Sequence, residues 1–381
     1  MTIKQTDGQS PTPEQINADP VESDARLSLT PGRMAWRQLR KNRVAMFGGI
    51  VLCLLYTCAI LGDFLAPYPV SDQRLPLAFH PPTPLVWHDA SGHFSLRPYV
   101  VGTRRDPETE TFLPDETKRA PIHFLVHGYS YRLLGLLPLN IHLFSTNENV
   151  PIFLLGTDDV GRDVFSRLLI GSQISLSVGL VAIVITLSIG LFVGGIAGYY
   201  GGRIDNILMR LCEVLMSVPS FYLLLALAAV LPPNLSPAIR YMLIIVILSF
   251  VGWAGLARVI RGISLATRQL EYVEAARALG VSDLKIIRRH ILPSAFTFAI
   301  VNATLSVPGY IMGEAGLSFL GLGIQAPMPS WGNMLSAAQD LMVLTRATWL
   351  LTPGFLIFVT VIAFNFLGDG LRDALDPKLR K

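Results

Sequence analysis

Three aspartates crowd one short stretch of the sequence. In "GTDDVGRDVFSR", Asp158, Asp159 and Asp163 offer carboxylate oxygens of the kind that hold calcium. The alternating ligand spacing and closing glutamate of a calcium loop are absent, so the expected role is structural. The aspartates should cap an amphipathic segment on the outer face, at a helix's positive end. Six of the seven histidines (His80, His88, His93, His123, His127 and His142) fall between residues 66 and 172. His123 and His127 are four apart and share a face on a helix or a strand. No carboxylate–histidine pattern accompanies them, which makes them packing or surface residues rather than metal ligands. Neither G-x-S-x-G nor H-E-x-x-H occurs, and there is no G-x-x-x-x-G-K-[ST] phosphate loop. No catalytic residue, cofactor or metal is expected. Cys53, Cys58 and Cys212 lie in or beside apolar segments and read as inert core residues.

The polar stretch "EYVEAARALGVSDLKIIRRHILP", Glu271 to Pro293, offers a different chemistry: docking. Arg268 to Leu279 can form one helix with Glu271, Glu274 and Arg277 in solvent, and with Ala275 and Ala276 on a slim face. Gly280 stands where a helix stops through positive φ. Ser282 then offers an N-cap, with Asp283 at the positive end of a second helix. That helix runs through "LKIIRRHIL" and breaks at Pro293, which opens the next apolar segment. On physics alone two readings stand side by side, a solvated loop without a partner and a handle for one.

The elements that position this stretch belong to a membrane. The 381 residues are 51% hydrophobic and only 15% charged, against about 25% charged in soluble domains. The net charge of +4 fits cytoplasmic loops of a membrane protein and carries no nucleic-acid signal. Residues 1–32 are polar and expected to form a disordered cytoplasmic tail. A basic cluster (Arg33, Arg37, Arg40, Lys41, Arg43) then precedes an uncleaved first span within 33–66. Further charge-free windows lie in Leu168–Gly202, Val214–Ile239, Tyr241–Ala257, Ile291–Gly313 and Ala347–Gly368. The predicted fold class is therefore an all-α membrane protein of about six transmembrane helices. A small extracytoplasmic insert over 67–172, with β stretches such as "HFLVHGYSYRLL", follows the first helix. A five-helix core over 173–368 carries the cytoplasmic loop 260–292, and a tail over 369–381 ends the chain. Lys and Arg placement puts both termini and that loop inside the cell.

Gly190, Gly194 and Gly198 recur every four residues beside Gly195, a spacing that lets membrane helices approach closely. Arg210 and Glu213 are placed for a local interfacial ion pair.

"EAARALG" followed by "ILP" resembles the EAA signature of permease subunits in ABC-type importers. "LGTDDVGRDVFSRLLIGSQISLSVGL", "GYYGGRIDNILMRLCEVLMSVPSFYLLLAL", "EAGLSFLGLGIQAPMPSWGNML" and the "ALDPKLR" ending are similar to its dipeptide and oligopeptide branch, second-permease type. The likeness spans about Arg33 to Arg380. It implies a peptide-importing permease of the bacterial cytoplasmic membrane that is not itself an enzyme. Implied partners are a second permease, two ATPase subunits, an extracytoplasmic substrate-binding protein, a peptide substrate and membrane lipid. Carried over by motif, Glu271, Glu274, Ala275, Ala276 and Gly280 form a coupling helix against an ATPase, and Ile291, Leu292 and Pro293 open the following span. The chain departs from the family's usual pattern in a longer loop after the first span, which bears on binding-protein docking and substrate identity. A nickel or other small-solute permease is the nearest alternative. An ion-driven transporter would want ionisable mid-membrane sites and internal repeats, and neither is evident.

Overall fold

The computed structural model describes residues 31–88, 93–108, 111–133, 135–146 and 150–375. The expected tail over 1–32 lies outside them as far as residue 30. Its last two residues instead open a helix, α1 (Pro31–Lys41). Asn42 then starts α2 (Arg43–Ile60), its side chain accepting the Ala45 N–H at 3.1 Å. Leu39 of α1 is buried against Ala45 and Ala374, so this basic helix is packed on the bundle's end. Cys212 is buried as expected, but Cys53 is exposed and Cys58 half-buried, because one face of α2 points outward.

The insert holds five strands. β1 (Leu85–His88), β2 (Phe94–Arg105) and β3 (Phe112–Pro121) form one antiparallel sheet in that order, and β4 (His123–Leu133) pairs with β5 (Leu137–Ser145) in another. Val100, Ala120, Ile122 and Phe144 share a small core with Val150 and Ile152. Two histidines serve as packing groups. His142, 1% exposed, bridges the insert to the end of α2 through Asp63 O and Tyr129 O, each at 3.0 Å. His80 meets Thr103 Oγ1 at 2.6 Å, and burial pushes its pKa down.

The long helix α3 (Val164–Tyr200) begins earlier than its apolar window suggested, so the domain boundary expected at 172 falls inside it. Asp163 supplies its cap, accepting from Ser166 N at 2.8 Å and from the Ser166 hydroxyl at 2.6 Å. Burial pushes the Asp163 carboxyl up to about 6 in spite of those bonds.

The window Val214–Ile239 does not form one span. α4 (Gly202–Ser217) and α5 (Ser220–Ala229) meet at 84°. Pro219 forces Val218 into extended backbone (φ −93°, ψ 129°) and ends the helix before it. The "PPNLS" turn that follows is held by the lone Arg240, which donates to Pro232 O and Pro233 O. Then come α6 (Pro237–Thr267), α7 (Glu271–Ala278), α8 (Asp283–Phe319), α9 (Trp331–Leu335) and α10 (Thr352–Leu375). Among the described residues five single helices are long and apolar enough to cross a membrane, and six spans result if the bent pair counts as one. The tail expected from 369 is helical to Leu375, and its remainder lies outside the described residues.

Candidate coupling site

The docking stretch is built on the ends of three spans. α6 stops at Thr267, where Arg268 turns back and donates from Nη1 to Tyr199 O at 3.0 Å, at the end of α3. The coupling helix therefore starts at Glu271, after a break at Gln269 and Leu270, rather than at Arg268. Glu271 and Glu274 stand in its first turn and Arg277 in its last, the order a helix dipole favours.

Gly280 ends α7 as its position predicts, with φ +74°. Gly280 N donates to Arg277 O and Val281 N to Ala276 O, at 3.0 and 3.1 Å, which is the Schellman closure. Ser282 occupies the N-cap position of α8 without a side-chain bond to the helix. The neighbouring Asp283 accepts instead from the Tyr199 hydroxyl at 2.6 Å. Above the Tyr199 ring, at 5.3 Å, sits the Arg277 guanidinium. Its contact with Tyr199 raises an already high pKa, so the cation is permanent.

Pro293 does not break the second helix. Residues Ile287–Ile291 form a π turn in which Leu292 N–H reaches back five residues to Ile287 O. The altered pairing lets a residue without an N–H follow with the helix intact.

The coupling residues divide between two faces. Ala276 and Ile291 are buried with Val273, Ile286 and Ile287 against Tyr199, and so hold the helix pair to this chain. Leu292 is half-buried beside them. Glu271, Glu274, Ala275, Gly280 and Pro293 are exposed. Sequence reasoning missed three exposed neighbours, Tyr272, Leu279 (83%) and Leu284 (66%). An apolar residue left bare beside a buried seam was the available signal, since a partner covering one leucine gains about 1.5–3 kcal/mol.

The glycine ladder of α3 faces α6. A methyl at Gly190 would come within 2.7 Å of Leu256 Cδ2, at Gly194 within 2.5 Å of Ala257 O, and at Gly198 within 2.5 Å of Arg261 O. Gly195 looks the other way, toward Leu292. One helix thus clamps both spans that flank α7. Asp205 of α4 and Arg261 of α6 lock the same end, with Arg261 Nε at 2.9 Å from Asp205 Oδ1. Arg210 and Glu213 pair at 3.0 Å on the surface, a local contact of little energetic weight.

A second buried polar knot was also missed. Glu314 of α8 is fully buried and accepts from the hydroxyls of Ser318 (2.6 Å) and Ser175 (3.3 Å). Ser175 on α3 in turn accepts from Trp331 N at 3.0 Å, so α3, α8 and α9 meet at one carboxyl. Asp158 is occupied by Arg162, with Nε at 2.7 Å, rather than poised for a cation. Among the described residues no three His, Cys, Asp or Glu side chains converge on one point.

Comparison with known proteins agrees with this architecture. The family described as "Binding-protein-dependent transport system inner membrane component" matches residues 190–381, and "N-terminal TM domain of oligopeptide transport permease C" matches 30–82. The dipeptide transport system permease protein DppC of Bacillus subtilis is 38% identical over 95% of this chain and 90% of its own. The oligopeptide transport system permease protein OppC of the same organism is 34% identical over 97% of each chain. The glutathione transport system permease protein GsiD of Pectobacterium atrosepticum is 43% identical over 92% of each. Coverage this complete in both directions corrects the expectation that the loop after α2 is unusually long, because these relatives match along nearly their whole length.

Proposed function

The chain belongs to the family of binding-protein-dependent transport system inner membrane components, and on that premise we propose that α7 is where an ATPase subunit grips it. It is an integral membrane permease of a peptide-importing ABC system, a transport subunit and not an enzyme. The relatives are named for dipeptide, oligopeptide and glutathione transport, which supports short peptides as the substrate class. A second permease completes the membrane gate, two ATPase subunits supply hydrolysis, and an extracytoplasmic binding protein delivers the peptide. Both termini and α7 face the cytoplasm, in keeping with the Lys and Arg distribution.

The observation that carries this proposal is the two-sidedness of α7. One face is sealed onto the chain through Val273 and Ala276, and the other presents Glu271, Glu274, Ala275 and bare Leu279. A helix held on one side and open on the other transmits displacement instead of absorbing it. The Arg268 bond to Tyr199 O and the Tyr199 bond to Asp283 join it to α3, α6 and α8. When the ATPases close, α7 moves and these three spans move with it.

Proteoliposomes holding the full complex, with ATP on the α7 side and loaded binding protein on the other, should accumulate a labelled di- or tripeptide. An assembled, ATP-hydrolysing complex that accumulates neither overturns the peptide assignment. ATPase subunits that assemble normally on a chain carrying both Glu274→Lys and Leu279→Asp overturn the grip.

A further inference from the structure

A cavity of about 290 Å³ opens between the segment leading into α3 and the segment joining α8 to α9. Arg167 lines it and is only 4% exposed. Its Nε lies 3.5 Å from Asp158 Oδ2, but its Nη1 is buried without any hydrogen-bond partner. Asp158 cannot turn to serve it. That carboxylate already accepts from Val160 N at 3.1 Å, from Arg162 N at 2.9 Å and from Arg162 Nε at 2.7 Å. A buried guanidinium N–H with no acceptor is costly, and here it faces empty space whose rim, Asp159 and Gln325, is open to solvent.

We propose that this cavity receives the carboxylate of one acidic side chain presented by the substrate-binding protein, with Arg167 Nη1 as its donor. The proposal rests on the reading of the chain as an importer subunit. An oxygen acceptor with negative charge is the group that completes a guanidinium, and the volume suits one side chain rather than a chain segment. The cavity is walled by this chain alone. A translocation path shared with a second permease runs along the seam between subunits, so a peptide in transit is the less suitable occupant.

The position gives occupancy a consequence. Ser318, in the cavity wall, accepts from Ile324 N at 2.9 Å and donates to Glu314. Glu314 also holds Ser175 of α3. A carboxylate entering the cavity therefore presses on the knot joining α3 and α8, whose far ends carry the α7 clamp.

The test is docking of the cognate binding protein to the complete transporter in nanodiscs, for wild type, Arg167→Gln, Arg167→Lys and Ala337→Leu. The last variant narrows the cavity and leaves every charge in place. Loss of one charged hydrogen bond should weaken docking about tenfold or more in Arg167→Gln. Ala337→Leu should weaken it too, and one Asp or Glu of the binding protein should show the same loss when neutralised, with no further loss when combined with Arg167→Gln. Docking unchanged in both Arg167→Gln and Ala337→Leu overturns the proposal while the importer reading stands. Unchanged docking with a raised half-saturation for peptides bearing a free C-terminal carboxylate, but not for amidated ones, assigns the carboxylate to substrate and also overturns it. A wild-type complex that never docks the binding protein sinks the importer reading and the proposal together.

Discussion

The Tyr199 hydroxyl at the end of α3 donates a 2.6 Å hydrogen bond to Asp283 at the start of α8, across 84 positions of sequence. A bond to a charged group contributes about 1.5–3 kcal/mol. Tyr199→Phe keeps the ring under Arg277 and removes only this bond. The complex should assemble and hydrolyse ATP, while peptide uptake per ATP falls severalfold. An unchanged uptake-to-hydrolysis ratio would mean that the bond transmits nothing.

Gly280 separates strain from collision, since a β-carbon there meets no atom within 4 Å. Its φ of +74° still costs an ordinary residue about 1–2 kcal/mol. Gly280→Val should impair uptake without lowering insertion, and Gly280→Asn, which tolerates that conformation, should impair it much less. Equal defects in the two variants would assign the effect to side-chain bulk at the docking surface.

The glycine ladder predicts a graded series. Gly194→Ala drives a methyl against the Ala257 carbonyl and should destabilise by about 1–3 kcal/mol. Gly190→Ala meets the movable tip of Leu256 and should cost less. Gly262→Ala, with open space around it, should be neutral or slightly stabilising. Thermal unfolding of the detergent-purified chains gives the ranking, and a flat series would remove the close-packing role.

Asp163 carries a pH signature. Its carboxyl is pushed from an ordinary 3.8 up to about 6, chiefly by burial. The folded state therefore binds more protons than the unfolded chain in that window. Stability from this group is present below about pH 4 and declines as pH climbs through 6, by on the order of 2–3 kcal/mol. Asp163→Asn keeps an oxygen for the Ser166 N–H and should flatten that part of the stability–pH curve. A slope identical to wild type between pH 4 and 7 would contradict the assignment.

The topology is open to labelling. In a background without Cys53, Cys58 and Cys212, cysteines at Glu116 in β3 and at Ala278 in α7 are both exposed. An impermeant thiol reagent on intact cells should reach the first and not the second. The reverse pattern would invert the orientation and displace the ATPase from α7.

Much of this was legible before any coordinates. Gly280 announced its own conformation, and the charged interruption between two apolar windows marked the docking helix, because both signals are local. The Val218–Pro219 bend is equally local, yet an apolar window is blind to it: hydropathy counts carbon and ignores a missing N–H. Ala276 and Ile291 were grouped with the exposed coupling residues because a motif lists positions without saying which way they face. Glu314 and Arg167 were invisible as a pair of buried polar groups, since their partners come from helices far apart in sequence.

The π turn at Ile287–Ile291 gives α8 one residue more than an α-helix of its length would use. Numbering on its two sides is consequently out of phase by about 100°. Ile286 and Ile287 point at Tyr199 in one phase, while Ala295 and Ala299 point at Leu256 and Ile260 in the other. A periodicity scan across the whole helix averages two stripes into none. Excising any single residue from the turn would leave the composition almost untouched, yet it would rotate everything beyond it and swing Glu314 out from among its serines toward hydrocarbon.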